Sequence, residues 1–418
     1  MYEFQKLKNG ANVCYVPLDH TKSVTVLVMY SVGSRNESEK LSGASHFVEH
    51  LMFKGTKKRK NTLILTREID RLGAEYNAFT SKEYTGYYIK SDSSYIQKSL
   101  DILSDMLFDS LFSAVEMERE KKVIVEEIKM YNDNPIMNID SIFENVLYEG
   151  SLGRDIAGTE KNVLSFKRED ILKFRDRFYQ PQNMTIVVAG DVDEKIKEFV
   201  EEYFGVRKNS KTDKTSVNHS AFGSAKKEDR LVVKEKDTDQ AQLMIGFPAF
   251  EYGNPKGNTL SVLNSILGGS MSSRLFMQIR ERRGLAYMVR SGQEKFIDTG
   301  YSYIRVGLDS KNINKTIQII EKELEKLRTK GVSSRELRDA KTRYRGSMSL
   351  SMEDSSSVAS WFANQVMFMD KIKTPEQRIQ EIEKISEDDI KKLANLVFKP
   401  SQMRIAVIGK INREDIIY

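Results

Sequence analysis

Apolar residues in this chain gather into short continuous runs, such as VTVLVMY (24–30) and MTIVVAG (184–190), which are strand-sized and rich in β-branched residues. Two longer stretches repeat one pattern. EDILKFRDRFYQPQNMTIVVAGDV begins at Glu169, and DDIKKLANLVFKPSQMRIAVIGKI begins at Asp388. Each reads as a helix stopped at a proline, then a strand that ends in glycine. The intervals agree: Ile171 to Pro181 and Ile390 to Pro400 are both 10 positions, and Pro181 to Gly190 and Pro400 to Gly409 are both 9. Upstream, TGYYIKSDSSYIQKSLDILSDML (85–107) parallels TGYSYIRVGLDSKNINKTIQIIEKELEKL (299–327), an aromatic strand, a polar turn and an amphipathic helix. A long charged helix follows in each half, around 116–131 and 334–350.

This repetition predicts an α+β fold of two homologous halves. Each half is a mostly antiparallel sheet with helices packed on one face, and the halves face each other across a cleft where a ligand would sit. The polar, aperiodic stretch 208–230 reads as the linker, with His219 an incidental histidine within it. The expected domains are therefore 1–207 and 231–418.

With 418 residues, 39% hydrophobic and 30% charged, the chain is large enough for two cores and has the balance of a globular protein. No apolar run reaches membrane-spanning length, and the N-terminus lacks a signal-peptide core, so an intracellular, cytoplasmic protein without a membrane partner is expected. A single cysteine, Cys14, excludes an internal disulfide and a cysteine-rich zinc cage. The net charge of +6 is a small imbalance of 66 basic against 60 acidic residues. The basic run KKRK (57–60) has no stacking aromatics beside it, so it reads as a solvated loop after a helix and not as a nucleic-acid site.

Candidate chemistry concentrates at SHFVEHLMFKG (45–55), which holds two of the four histidines. A short helix capped by Ser42 or Ser45, with Gly55 just past its end, puts His46 and His50 on one face, where two imidazoles can grip one ion. Glu49 lies on the same side and can hold a metal-bound water. The spacing H-x-x-E-H would arise by chance in roughly a few per thousand such sequences. A third ligand is needed, and AVEMEREKKVIVEEIKMY (114–131) supplies carboxylates. Its apolar stripe, read as Val123, Ile124, Met130 and Tyr131, carries Glu120 and Glu127, while Glu126 points away. Glu127 as ligand with Glu120 as its neighbour fits this stripe, and Glu120 as ligand is the alternative a shifted register allows. Where this copy has HFVEH, the second has LNSILGGSMSSRLF (263–276), without histidine or acid.

HFVEH, LMFKGT, NAFTSKEYTGYY and EREKKVIVEEI together resemble the catalytic half of the pitrilysin family of inverted-zincin metallopeptidases. The resemblance covers essentially the whole chain, since that family also pairs a metal half with a metal-free half. It implies Zn2+ held by His46, His50 and Glu127, the glutamate that closes an E-x6-E pattern begun by Glu120. It also implies a peptide-bond hydrolase, an endopeptidase that works in an enclosed cavity with Glu49 activating the metal-bound water. AEYNAFTSKEYTGYYIK (74–90) reads from its alternation as a hairpin. The family places Asn77 and Ala78 on an edge strand that binds peptide backbone. It also gives Arg280 and Tyr287, seven residues apart, contacts with substrate carbonyl and oxyanion. The implied partners are peptide substrates and a second copy in a homodimer. The alternatives are a processing-peptidase subunit that needs a different partner chain, and a non-catalytic assembly subunit.

Overall fold

The computed structural model describes residues 2–209, 221–223 and 226–418. Two sheets organise it. The first contains β1 (Glu3–Lys6), β2 (Asn12–Pro17), β3 (Ser23–Tyr30), β4 (Glu75–Thr80), β5 (Thr85–Asp92) and β6 (Met184–Gly190), in the order β1-β2-β6-β3-β5-β4. The second contains β7 (Leu231–Glu235), β8 (Ala241–Pro248), β9 (Ala286–Lys295), β10 (Gly300–Leu308) and β11 (Arg404–Gly409), in the order β7-β11-β8-β10-β9. Substituting each strand by its counterpart turns β2-β6-β3-β5-β4 into the second sheet. Among the described residues, only β2–β6 and β7–β11 pair in parallel. The fold is α+β and duplicated, as expected.

Each sheet is covered on its second face as well. In β3, Val24, Val26 and Val28 enter one core, while Leu27 and Met29 enter another on the opposite face. The continuous apolar runs in β3 and β6 are the sequence mark of such two-sided burial. The second face of the first sheet is covered by helix Ser355–Phe368, which buries Val358, Ala359, Phe362 and Ala363. Its alanines, at i and i+4, bring its axis close to β6 and β3. On the second sheet the same role falls to helix Pro135–Leu147, through Ile139, Phe143 and Leu147.

The chain forms two compact units. One takes in the described residues of Met1–Lys129, Arg154–Asn218 and Ser349–Ile372, the other those of Met130–Gly153, His219–Met348 and Lys373–Tyr418. The boundaries read from the sequence, 1–207 and 231–418, do not register this exchange of one helix in each direction. The linker expected at 208–230 lies largely outside the described residues, and His219 with it.

The basic run differs from its expectation at one residue. Arg59 is buried, 3% exposed, and its guanidinium meets Asp105 at 2.7 Å, while Lys57 and Lys58 pair with Asp109 and Asp101. The run is thus a loop after a helix, its three lysines exposed as expected, and the departure is Arg59, which is buried and anchors the loop to acids on helix Ile96–Asp109.

Candidate metal centre

Helix Ala44–Met52 carries the histidines. Phe47, Val48 and Leu51 sink into the first unit's core, leaving His46, Glu49 and His50 on the half-exposed side. Neither serine caps it. The N-cap is Gly43 at φ 99, where a Cβ would come within 2.5 Å of the Ala157 carbonyl oxygen, so the turn needs glycine. The free amides of Gly43 and Ser45 both donate to the buried carboxylate of Glu37 at 2.7 Å. Burial pushes the Glu37 carboxyl up to about 8, against the pull of these two bonds. Gly55, at φ 111, stands just past the helix end as expected.

Helix Ala114–Asp133 brings in the carboxylates. Its buried residues are Met117, Glu120, Lys121, Ile124 and Val125, whereas Val123 and Met130 are 51% and 49% exposed. The stripe read from the sequence was therefore rotated in part. Glu120 faces the core, and Glu127 lies at its margin.

Three donor atoms converge. His46 Nε2 and His50 Nε2 are 3.3 Å apart, and Glu127 Oε2 stands 3.4 Å from His50 Nε2 and 3.7 Å from His46 Nε2. Ligands about 2.0–2.1 Å from a tetrahedral zinc stand about 3.3 Å from one another, so this triangle fits one face of such a centre. Among the described residues, His46, His50 and Glu127 are the one group of three metal-binding side chains placed this closely. Glu49 stands outside the triangle, its carboxylate accepting from Thr80 Oγ1, and burial raises its pKa.

The protonation equilibria leave one proton for a cation to displace. Burial, then the neighbouring His50, pushes His46 down to about 4, leaving a neutral imidazole. Burial alone would also lower His50, but hydrogen bonds and charges from Glu120 and Glu127 carry it up to about 9. Two ring nitrogens at 3.3 Å can share one proton between them, and a divalent ion in its place would satisfy both rings and the carboxylate. Glu120, buried at 3% exposure, accepts from His50 Nδ1 at 2.8 Å and pairs with Lys54 at 2.7 Å. With its proton on Nδ1, His50 turns the Nε2 lone pair toward the centre.

Beside this group β4 closes one end of its sheet, pairing among the described residues only with β5. Asn77 is exposed, and the Ala78 amide donates to Asn77 Oδ1 at 2.9 Å. A pocket of about 380 Å³ adjoins it, lined among others by Glu49, His50, Phe53, Lys54 and Tyr76.

Arg280 and Tyr287 belong to the second unit. Arg280 sits in a π-helical turn, Phe276–Glu281, and donates to the Tyr287 backbone carbonyl at 3.0 Å. Such turns widen a helix locally and recur at functional positions. Tyr287, 40% exposed on β9, packs its ring over Gly307, and its hydroxyl accepts from Gln242 at 3.0 Å. Four partners went unread in the sequence: Glu37, Lys54, Thr80 and Gln242. Period-two spacing along β4 could have found Thr80, which shares a face with Ala78.

Residues 13–160 match the family described as Insulinase (Peptidase family M16), and residues 165–344 match Peptidase M16 inactive domain. An uncharacterized zinc protease of Bacillus subtilis is 35% identical over 392 residues, covering 94% of each chain. A protease from Helicobacter pylori superimposes with a TM-score of 0.91 at 26% identity, over 98% of this chain and 99% of that one. A chain of complex III2 from Candida albicans has the same fold at 18% identity, with a TM-score of 0.83 over 98% of this chain and 96% of that one. The chain belongs to peptidase family M16, the pitrilysin and insulinase family that its motifs resemble. Among its described residues no helix is long and apolar enough to cross a membrane.

Proposed function

We propose that the chain is a zinc-dependent endopeptidase of peptides and unfolded segments, cytoplasmic and homodimeric, working in an enclosed cavity. The observation that carries this reading is the donor triangle of 3.3, 3.4 and 3.7 Å with a carboxylate standing beside it. His46, His50 and Glu127 would hold the zinc, which when bound supplies a Lewis acid for water and for the scissile carbonyl. Glu49 takes the proton of the attacking water and returns it to the leaving amine, a task suited to a carboxyl whose pKa burial has raised. Glu120 fixes the His50 tautomer. The open edge of β4, at Asn77 and Ala78, pairs with the peptide backbone and holds it extended. Arg280 binds a substrate carbonyl, and the Tyr287 hydroxyl donates to the oxyanion.

The purified chain should contain about one zinc and cleave a fluorogenic peptide library, and a chelator should stop cleavage until zinc is restored. A zinc-loaded chain that cleaves nothing until a different partner chain is added would instead make it a processing-peptidase-type subunit.

A further inference from the structure

Helix Ser355–Phe368 covers only part of the first sheet's second face. Six strands span about 24 Å, and a helix with its side chains is about 10 Å wide. It rests mainly on β2, β6 and β3, and beyond them reaches β5 at its N-cap, where Asp354 pairs with Lys90 at 2.6 Å. The result is a groove of about 490 Å³ whose floor includes Leu27, Tyr88 and Phe79, and whose wall includes Ser357, Ser360, Trp361 and Asn364. Among the described residues, none of the lining side chains is charged. Asn364 is fixed in this wall by its Nδ2, which donates to the Ser360 carbonyl at 2.9 Å.

The register links this groove to the open edge. Leu27, Tyr88 and Asn77 stand side by side across β3, β5 and β4, and Leu27 and Tyr88 both line the groove. Their row therefore lies on the groove face. The adjacent row, Val28, Tyr87 and Ala78, lies on the metal face, since Val28 and Tyr87 enter the core that holds Phe47. A strand added beyond β4 must continue both rows, because successive side chains alternate between faces.

We propose that this groove is a substrate subsite, which receives alternate side chains of an extended peptide paired with β4 and selects large uncharged ones, aromatic before aliphatic. It rests on the reading of β4 as a peptide-binding edge and names a selectivity that reading leaves open. Phe79 lies one strand spacing, about 4.8 Å, from the added strand, and Tyr88 one further on. An aromatic ring placed there covers Phe79 and Tyr88. A charged side chain finds no counter-charge in the lining and would be desolvated unpaired.

Binding can be read without turnover. Full-length chain treated with a chelator is titrated, by fluorescence anisotropy, with an extended peptide bearing phenylalanine at every second position and with alanine and aspartate counterparts. The phenylalanine peptide should bind roughly tenfold tighter than the alanine one, as expected for burying an aromatic side chain, with aspartate weakest. Ser360→Trp and Ser357→Arg, both at exposed rim positions, should bring the phenylalanine-to-alanine ratio near one. A ratio near one in the unsubstituted chain, or a high ratio untouched by both substitutions, overturns the proposal. Zinc-loaded chain separates the two readings. Selective binding without cleavage defeats the peptidase and leaves the groove, whereas cleavage without selectivity defeats the groove alone.

Discussion

Helix Ala44–Met52 and helix Lys256–Gly268 hold the same place in two copies of one unit, beside the open edge strands β4 and β9. Each is followed by an equivalent long helix, Ala114–Asp133 in the first copy and Ser334–Ser351 in the second. In the first copy the three elements bring two imidazoles and a carboxylate within 3.7 Å of one another. In the second they surround a pocket of about 300 Å³ lined by hydroxyls, amides and the Arg343 guanidinium, without histidine or acid. There Asn264 knits the frame together, donating to Gly292 O at 2.9 Å and accepting from Ser302 at 3.0 Å. The frame thus persists without the metal set. In the first copy the crowded donors are costly to bury until a cation joins them. The second copy keeps Arg280 and Tyr287, whose proposed contacts with substrate need no metal.

The sharpest break of this comparison is at the first copy's centre. His46→Ala should lose zinc and turnover together. Glu49→Gln should keep about one zinc per chain while turnover falls by about two to four orders of magnitude, the usual effect of removing a general base. A metal-free Glu49→Gln protein would show that Glu49 is a ligand. Zinc should also raise the Tm of the wild type, by mass action about 4 kcal/mol of stability at a thousandfold excess over Kd. It should leave His46→Ala unmoved, and an equal rise in both would place the zinc elsewhere.

Next in size is the second copy's contribution. Tyr287→Phe removes one hydroxyl, frees Gln242 and leaves the ring over Gly307. Turnover should fall roughly a hundredfold with folding and zinc content intact, as when one oxyanion donor is deleted. Arg280→Ala should act more on KM than on kcat. Wild-type rates from Tyr287→Phe would make the second copy a scaffold.

What the sequence disclosed was whatever repeats or pairs at short range. The duplicated helix–Pro–strand–Gly pattern displayed the architecture, and His46 with His50 displayed one face of a helix, because spacing alone determines both. Val123 and Met130 misled because an apolar residue beside a site can face outward, and periodicity does not say which flank of a stripe is buried. The helix at Ser355–Phe368 was hidden by its serines and alanines, which carry a weak apolar signal though they pack closely. Glu37 was illegible for another reason. It lies six and eight residues before the two amides it caps, outside any capping motif, and the turn at Gly43 brings it there.

That carboxylate gives the smallest test, of how differently the two helices are held at their N-termini. In the second copy the amide of Lys256 donates to the Asn254 side chain, which does not titrate. In the first, Glu37 is buried and its pKa is pushed from an ordinary 4.5 up to about 8. A raised folded-state pKa favours the protonated form, so its stabilising effect is complete below about 4.5 and is lost as pH rises through 8. Glu37→Gln removes the titration and keeps one acceptor for the two amides. The Tm difference between wild type and Glu37→Gln should therefore be largest near pH 5 and shrink toward pH 8.5, with a cap contribution of about 1 kcal/mol underneath. Asn254→Ser offers the mirror experiment in the second copy, since it keeps a side-chain acceptor for the Lys256 amide and introduces no titratable group. It should leave the Tm profile above pH 5 parallel to wild type. A flat difference for Glu37→Gln across the whole range would mean that the two amide bonds outweigh burial, and that Glu37 stays ionised like any surface cap.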